Sequence, residues 1–263
     1  MLETSASAVV AVRMAAPHVA LVTINRPEAR NAVNVPVTEG IARVLEDSEA
    51  DDDIWVVVLT GAGGKAFSAG ADLKEIAAGR MLSLRTEHGG FAGLANYPRE
   101  KPWIAAVDGF ALGGGCELAL ACDMIVATEQ STFGLPEPRR ALIAGAGGAY
   151  RLSRMLPRNV ALELIATGAD LPAARAFAFG MVNRLVPAGR AVEGALELAT
   201  GICQCAPVAV RESLKIARAS PDHDEAALRA LTRAAIERNM KTEDCKEGPQ
   251  AFIEKRQPRW TGR

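Results

Sequence analysis

The chain is poor in histidine, has no paired cysteine motif and carries almost no net charge, and each shortage removes a class of function. Only three histidines occur in 263 residues, His18, His88 and His223. None lies beside a glycine-flanked serine or cysteine, and Ser68 sits in F-S-A-G rather than in a G-x-S-x-G elbow, so a Ser-His-Asp mechanism lacks its parts. No H-E-x-x-H or clustered His and carboxylate pattern proposes a catalytic metal. The five cysteines, Cys116, Cys122, Cys203, Cys205 and Cys245, are odd in number and never form C-x-x-C. That argues against a disulfide framework or zinc site and for a reducing cytoplasm. A net charge of -1 offers no basic footprint for a polyanion, so nucleic acid is not an expected partner. Long apolar runs are also missing: I-W-V-V-V-L-T is far short of the roughly 20 residues that span a bilayer. The N-terminus opens with Glu3 and its apolar stretch is broken by Arg13, Pro17 and His18, which does not fit a secretory leader.

What is present is a core-forming composition. At 49% hydrophobic, the chain can build one large domain or two small ones. Val9 to Met14 and Val19 to Ile24 flank an Ala-Pro-His break and predict a hairpin. Val37, Ile41, Val44 and Leu45 follow helical spacing, and the acid cluster from Glu46 to Asp53 is expected to end that helix before a strand at Ile54 to Leu59. The rhythm recurs with an extended Trp103 to Val107, a glycine-rich break, an apolar helix through Leu118 to Ala121 and a strand at Met124 to Ala127. Strands alternating with helices predict an α/β core. After about Leu185 only helical pattern remains, and Asp222, followed by Asp224 and Glu225, reads as a helix start. The expected division is a core over residues 1–190 and a helical region over 191–263.

Two glycine-rich breaks follow apolar strands, Gly61 to Asp72 and Gly109 to Glu117. Such loops let backbone N–H groups approach a ligand closely, and a helix N-terminus adds unpaired donors, so the pair could hold an oxyanion; each also reads as an ordinary strand-to-helix turn. The first loop fits the loose dinucleotide fingerprint at Gly61, Gly63 and Ala66, but no acid ends a strand about 20 residues on. A phosphate-binding P-loop would need glycine at Leu59 and serine or threonine at Ala66. Glu117 stands in the first turn of an otherwise apolar segment, where burial disfavours a carboxylate unless something uses or pairs it. Alone, it also reads as an acid offsetting the positive helix end. Glu137 lies between Pro136 and Pro138; alone, it reads equally as a surface acid paired with Arg139 or Arg140.

Taken in order, N-R-P-E-A-R-N-A from Asn25, F-S-A-G-A-D-L-K from Phe67, G-G-G-C-E-L from Gly113, F-G-L-P-E from Phe133, G-A-G-G from Gly145 and A-F-I-E-K-R from Ala251 resemble the enoyl-CoA hydratase or crotonase family nearly end to end. The two glutamates stand 20 positions apart, as in that family. The resemblance implies a spiral of repeated ββα units with a helical C-terminal region that builds trimers or dimers of trimers. It implies catalytic roles for Glu117 and Glu137, an oxyanion hole from the N–H groups of Ala71 and Gly114, and a water-holding N–H at Gly145. For coenzyme A it points to Arg26 and Arg30, to Ala69, Ala71, Asp72, Leu73 and Lys74 with Gly114, and to Phe252 and Lys255, sometimes of a neighbouring subunit. No cofactor is implied, coenzyme A being part of the acyl-CoA substrate, and the expected reaction is hydration of a trans-2-enoyl-CoA to a 3-hydroxyacyl-CoA.

Two departures from the family pattern border the expected acyl pocket: Ile143-Ala144 where many relatives have Ile-Pro, and Arg140-Ala141 where many have glycine second. They leave the accepted acyl chain open. Filled positions for both acids favour hydration over the double-bond isomerisation of other relatives, while a dedicated dehydratase or hydratase such as one for crotonobetainyl-CoA stays open. An NAD-binding oxidoreductase on the Gly61 loop and a silent acyl-CoA binder are readings from other classes.

Overall fold

A computed structural model describes residues 4–5 and 8–263; the acid at position 3 lies outside them. In chain order the elements are β1 (Val10–Ala16), β2 (Val19–Ile24), α1 (Val35–Ala50), β3 (Val56–Gly61), β4 (Ala66–Ser68), α2 (Leu73–Ala77), β5 (Arg85–Thr86) and β6 (Gly90–Phe91). They continue as β7 (Trp103–Val107), β8 (Phe110–Leu112), α3 (Gly114–Ala121), β9 (Met124–Thr128), β10 (Thr132–Gly134), α4 (Gly148–Met155), α5 (Arg158–Thr167), β11 (Asp170–Pro172), α6 (Ala173–Ala178) and β12 (Arg184–Val186). Four helices close the chain: α7 (Ala191–Cys203), α8 (Pro207–Ala219), α9 (Glu225–Asn239) and α10 (Asp244–Ile253).

The expected hairpin forms, with Val10 opposite Ile24 and antiparallel pairing of β1 and β2. From there the chain winds. The first strand of each unit enters a six-stranded sheet of order β1-β2-β3-β7-β9-β12, and the next enters a four-stranded sheet of order β11-β10-β8-β4. Within the turns of the spiral β3, β7 and β9 are parallel neighbours, as are β4, β8 and β10. Strands buried on both faces read as continuous apolar runs, and the alternation resolves here into two cores. Val57, Leu59, Ala105 and Val107 face the interior between the sheets. Val56, Val58, Ile104 and Ala106 face the other side, where Ala191, Ala195 and Ala199 of α7 cover them.

Two boundaries differ from expectation. Helix α1 does not end at Leu45 but runs to Ala50, because Glu46 and Asp47 lie on its exposed face while Ser48 continues the buried stripe of Ile41, Val44 and Leu45. Its end is held by the buried Lys101, whose Nζ donates to Ser48 O at 2.5 Å and Asp51 O at 2.6 Å. Such a cation satisfies carbonyls at the negative helix terminus. Helix α9 is capped by Asp224, which accepts from Ala227 N at 2.8 Å, and not by Asp222, which pairs with Arg154 at 2.7 Å. Among the described residues, no helix is long and apolar enough to cross a membrane.

Candidate active site

The loop after β4 is set by a clamp from residues 30–33. Asn31, fully buried in a left-handed conformation (φ 56°), donates through Nδ2 to Ala62 O at 2.9 Å and Ala66 O at 2.7 Å. Ser68 Oγ donates to Asn31 O at 2.8 Å and accepts from Gly70 N, while Val33 N bonds Gly70 O and Asp72 N bonds Val33 O. Ala71 therefore stands on a backbone bonded on both sides. Gly70 takes φ 87°, and a Cβ there would fall 2.7 Å from Gly114 N, so only glycine lets the two loops approach. From the other loop, a Cβ on Gly114 would lie 3.4 Å from Ala71 N and 2.6 Å from the Phe91 ring. The Ala71 and Gly114 loops thus meet face to face, with Phe91 packed over the second.

Both glutamates enter this region from different turns of the spiral. Glu117, 4% exposed in the first turn of α3, does not cap its own helix with its carboxylate. Its Oε1 accepts from Ala146 N at 2.7 Å and Gly148 N at 2.9 Å across the site. Glu137 opens a 3-10 turn (Glu137–Arg140) framed by Pro136 and Pro138. Its Oε1 lies 3.2 Å from the Cβ position of Gly113, and its Oε2 is buried without a hydrogen-bond partner among the described residues. No surface ion pair is formed with Arg139, whose Nε donates to Thr167 O at 2.9 Å.

Burial pushes both carboxyls above the usual glutamate range. For Glu117 the amides of Gly148 and Ala146 and the charges of Arg151 and Arg85 act against that rise without cancelling it. For Glu137, burial acts first, its own backbone N–H opposes, the Glu117 charge adds to the rise and Arg140 opposes. Two acids that hold protons more firmly than free glutamate, with Glu137 also feeling the charge of Glu117, suit general acid–base work.

A cavity of about 700 Å³ opens between the loops. Arg26, Arg30, Ala69, Ala71, Asp72, Leu73, Lys74, Gly114 and Glu137 all line it, as do Arg140 and Leu142, while Glu117 lies deeper. Arg26 is not free there: its guanidinium pairs with Asp72 at 3.1 Å and donates to Ala32 O at 2.6 Å. Phe252, 85% exposed on α10, and Lys255 just beyond it stand apart from this cavity. Gly145 is exposed, and the amides that meet Glu117 belong to its neighbours Ala146 and Gly148. Sequence reasoning missed those two amides, and it missed Asn31 and Ser68; the available signal was a polar residue inside an otherwise apolar or glycine-rich stretch.

Ala141, at the departure noted in the sequence, still takes the left-handed conformation (φ 53°, ψ 32°) that ends the turn carrying Glu137. A side chain there is strained, so Ala141→Gly should stabilise the fold by about 1 kcal/mol and raise Tm by about 2 to 4 °C. A thermal melt at fixed pH checks this, and a lower Tm would show that no strain is held at this turn.

A parallel two-sheet spiral, a site with the buried Glu117 and the half-buried Glu137, and paired amide-bearing loops define a hydro-lyase of crotonase fold. The comparisons with known proteins agree. The family model described as Enoyl-CoA hydratase/isomerase matches residues 15–263, and the chain belongs to that family. It is 38% identical over 247 residues to a carnitinyl-CoA dehydratase of Salmonella heidelberg, covering 92% of this chain and 94% of that one. Among solved structures it is similar to an enoyl-CoA hydratase from Mycobacterium tuberculosis H37Rv (42% identity, TM-score 0.93, 98% and 100% covered). It is also similar to a carnitinyl-CoA hydratase from Mycobacterium avium (47% identity, TM-score 0.78, 97% and 99% covered).

Proposed function

We propose that the chain hydrates trans-2-enoyl-CoA to 3-hydroxyacyl-CoA, reversibly, with no cofactor beyond the coenzyme A of its substrate. In this reading the amides of Ala71 and Gly114 donate to the thioester oxygen as it gains enolate charge. Preorganised donors of this kind need no rearrangement when the charge develops, and losing one costs about 2.7 to 4 kcal/mol. Glu117, ionised, takes a proton from water as that water attacks Cβ, and Glu137, protonated, delivers one to Cα. Gly145 would steady the water. Arg30 and Lys74 at the cavity mouth suit the phosphates of coenzyme A. The observation that supports this most is the pair of proton-holding carboxyls, Glu117 buried and Glu137 half-buried, beside the facing Ala71 and Gly114 loops. Crotonyl-CoA should lose its conjugated absorbance on incubation with the protein; a stable signal together with turnover of a 3-enoyl-CoA would instead favour isomerisation.

A second reading, a hydratase or dehydratase for the carnitinyl series, is favoured by the identities to the Salmonella and Mycobacterium avium proteins. Comparing kcat/KM for crotonyl-CoA and crotonobetainyl-CoA separates the two.

We also propose a cytoplasmic homotrimer or pair of trimers. Exposed Met240, just past α9, and Phe252 and Ile253 on α10 offer apolar surface for a second copy, and Phe252 and Lys255 would then reach a neighbour's coenzyme A groove. Sedimentation should give three or six chains per particle, and Lys255→Ala should raise KM while leaving kcat nearly unchanged; a monomer with full activity overturns the assignment.

A further inference from the structure

Arg151 is a half-buried cation on α4 that has no carboxylate in an ion pair with it among the described residues. Its polar contacts are two backbone carbonyls: Nη1 donates to Ala146 O at 2.7 Å and Nη2 donates to Ala95 O. Desolvating a guanidinium costs several kcal/mol, so a site that keeps one without a carboxylate partner calls for a reason. The two carbonyls supply it. Ala146 is bonded at both ends, its O to Arg151 and its N to Glu117 Oε1. Ala95 lies in the buried stretch that begins at Phe91, the ring packed over Gly114. A Cβ at Gly147 would fall 2.3 Å from Arg151 Nη1, so the backbone between Ala146 and α4 is bare where the guanidinium passes.

We propose that Arg151 is a positioning residue that ties the peptide holding Glu117 to the segment covering Gly114, keeping the acid and the thioester-binding amide in register. The planar fork suits this task because it reaches two carbonyls in fixed directions, which a lysine ammonium on a flexible stem does not. The same cation also acts on Glu117 directly. The charged groups acting with Glu117 are Arg151 from α4, Arg85 from β5 and Glu137 from the 3-10 turn, and the titratable Cys116 thiol beside it on α3 is pushed by burial up to about 12 and stays neutral. Arg151 is the first of the charges that favour the ionised form. Removing it leaves burial less opposed and raises the proton affinity of Glu117. A base that must be ionised loses activity as pH falls through its pKa, so the acid limb of the rate profile moves to higher pH.

The inference rests on the reading of Glu117 as the group that must be ionised, and the test separates the two. Arg151→Met and Arg151→Lys are compared with the parent and with Glu117→Gln by hydration of crotonyl-CoA across pH and by thermal melting. Arg151→Met should lower kcat by about 10 to 10² fold through misplacement, with KM little changed, and shift the acid limb upward. Arg151→Lys, which keeps the charge and loses the fork, should return the limb to the parent position and recover only part of kcat. An Arg151→Met protein whose limb is unmoved and whose rate falls only with its folded fraction overturns the proposal. If Arg151→Met does not fold, Arg151→Lys decides: a reduced kcat at an unchanged Tm supports the role, and parental kcat removes it. Full activity in Glu117→Gln would instead remove the reading of Glu117 itself.

Discussion

Glu137→Gln and Glu117→Gln should each lower kcat for hydration by about 10² to 10⁴ fold, the range general acid–base groups contribute. The double variant should fall little below either single one, because the two acids serve one proton transfer sequence and their effects do not add. Stability should move in the opposite direction. A carboxyl whose proton affinity rises on folding favours the folded chain at low pH and opposes it once pH climbs through the folded value. Both acids are raised above 4.5, so at neutral pH the readier ionisation of the unfolded chain counts against the fold. Glu137, with a buried and unpartnered Oε2, is the cleaner case. Glu137→Gln should melt at the same or a higher temperature at neutral pH, and the gain should shrink as pH falls toward 4.5. An unimpaired rate in both single variants would refute the two-acid mechanism, whatever the melts show.

Gly114→Ala should have the next largest effect. The added methyl would stand 2.6 Å from Cε1 and Cζ of Phe91, closer than atoms can pack, so the ring must swing or the loop must retreat. Either response moves the Gly114 amide relative to Ala71, and loss of one oxyanion donor lowers kcat by about 10² to 10³ fold. Binding of a saturated acyl-CoA, which develops no enolate charge, should weaken far less because Arg30 and Lys74 are untouched. Parental kcat in a folded Gly114→Ala protein would mean that this amide does not hold the reacting oxygen.

The long strands were legible in the sequence because burial on both faces leaves an unbroken apolar run, as at Trp103–Val107. The three-residue strands β4, β8 and β10 were not, since a strand that short is defined by its neighbours in the second sheet rather than by its own letters. The far end of α1 was hidden by its acids, which resemble a helix stop yet simply face water. At the site, Glu117 stood out as a charge in apolar surroundings, but its partners did not. Ala146 and Gly148 come from 29 and 31 positions away, and the Ser68 to Asn31 bond spans 37. Contacts at such separations leave no local pattern to read. The motif resemblance singled out Glu137, while its buried, unpaired oxygen is visible only in three dimensions.

The order β4, β8, β10 in the smaller sheet carries one more consequence. Ala71, Gly114 and Glu137 each follow one of these adjacent strands by a few residues. Their loops therefore leave from neighbouring strands about 4.8 Å apart, a ruler ruled by main-chain hydrogen bonds. A substitution among the side chains around the cavity can reshape which acyl tail is admitted while the graduations under the reacting atoms stay put.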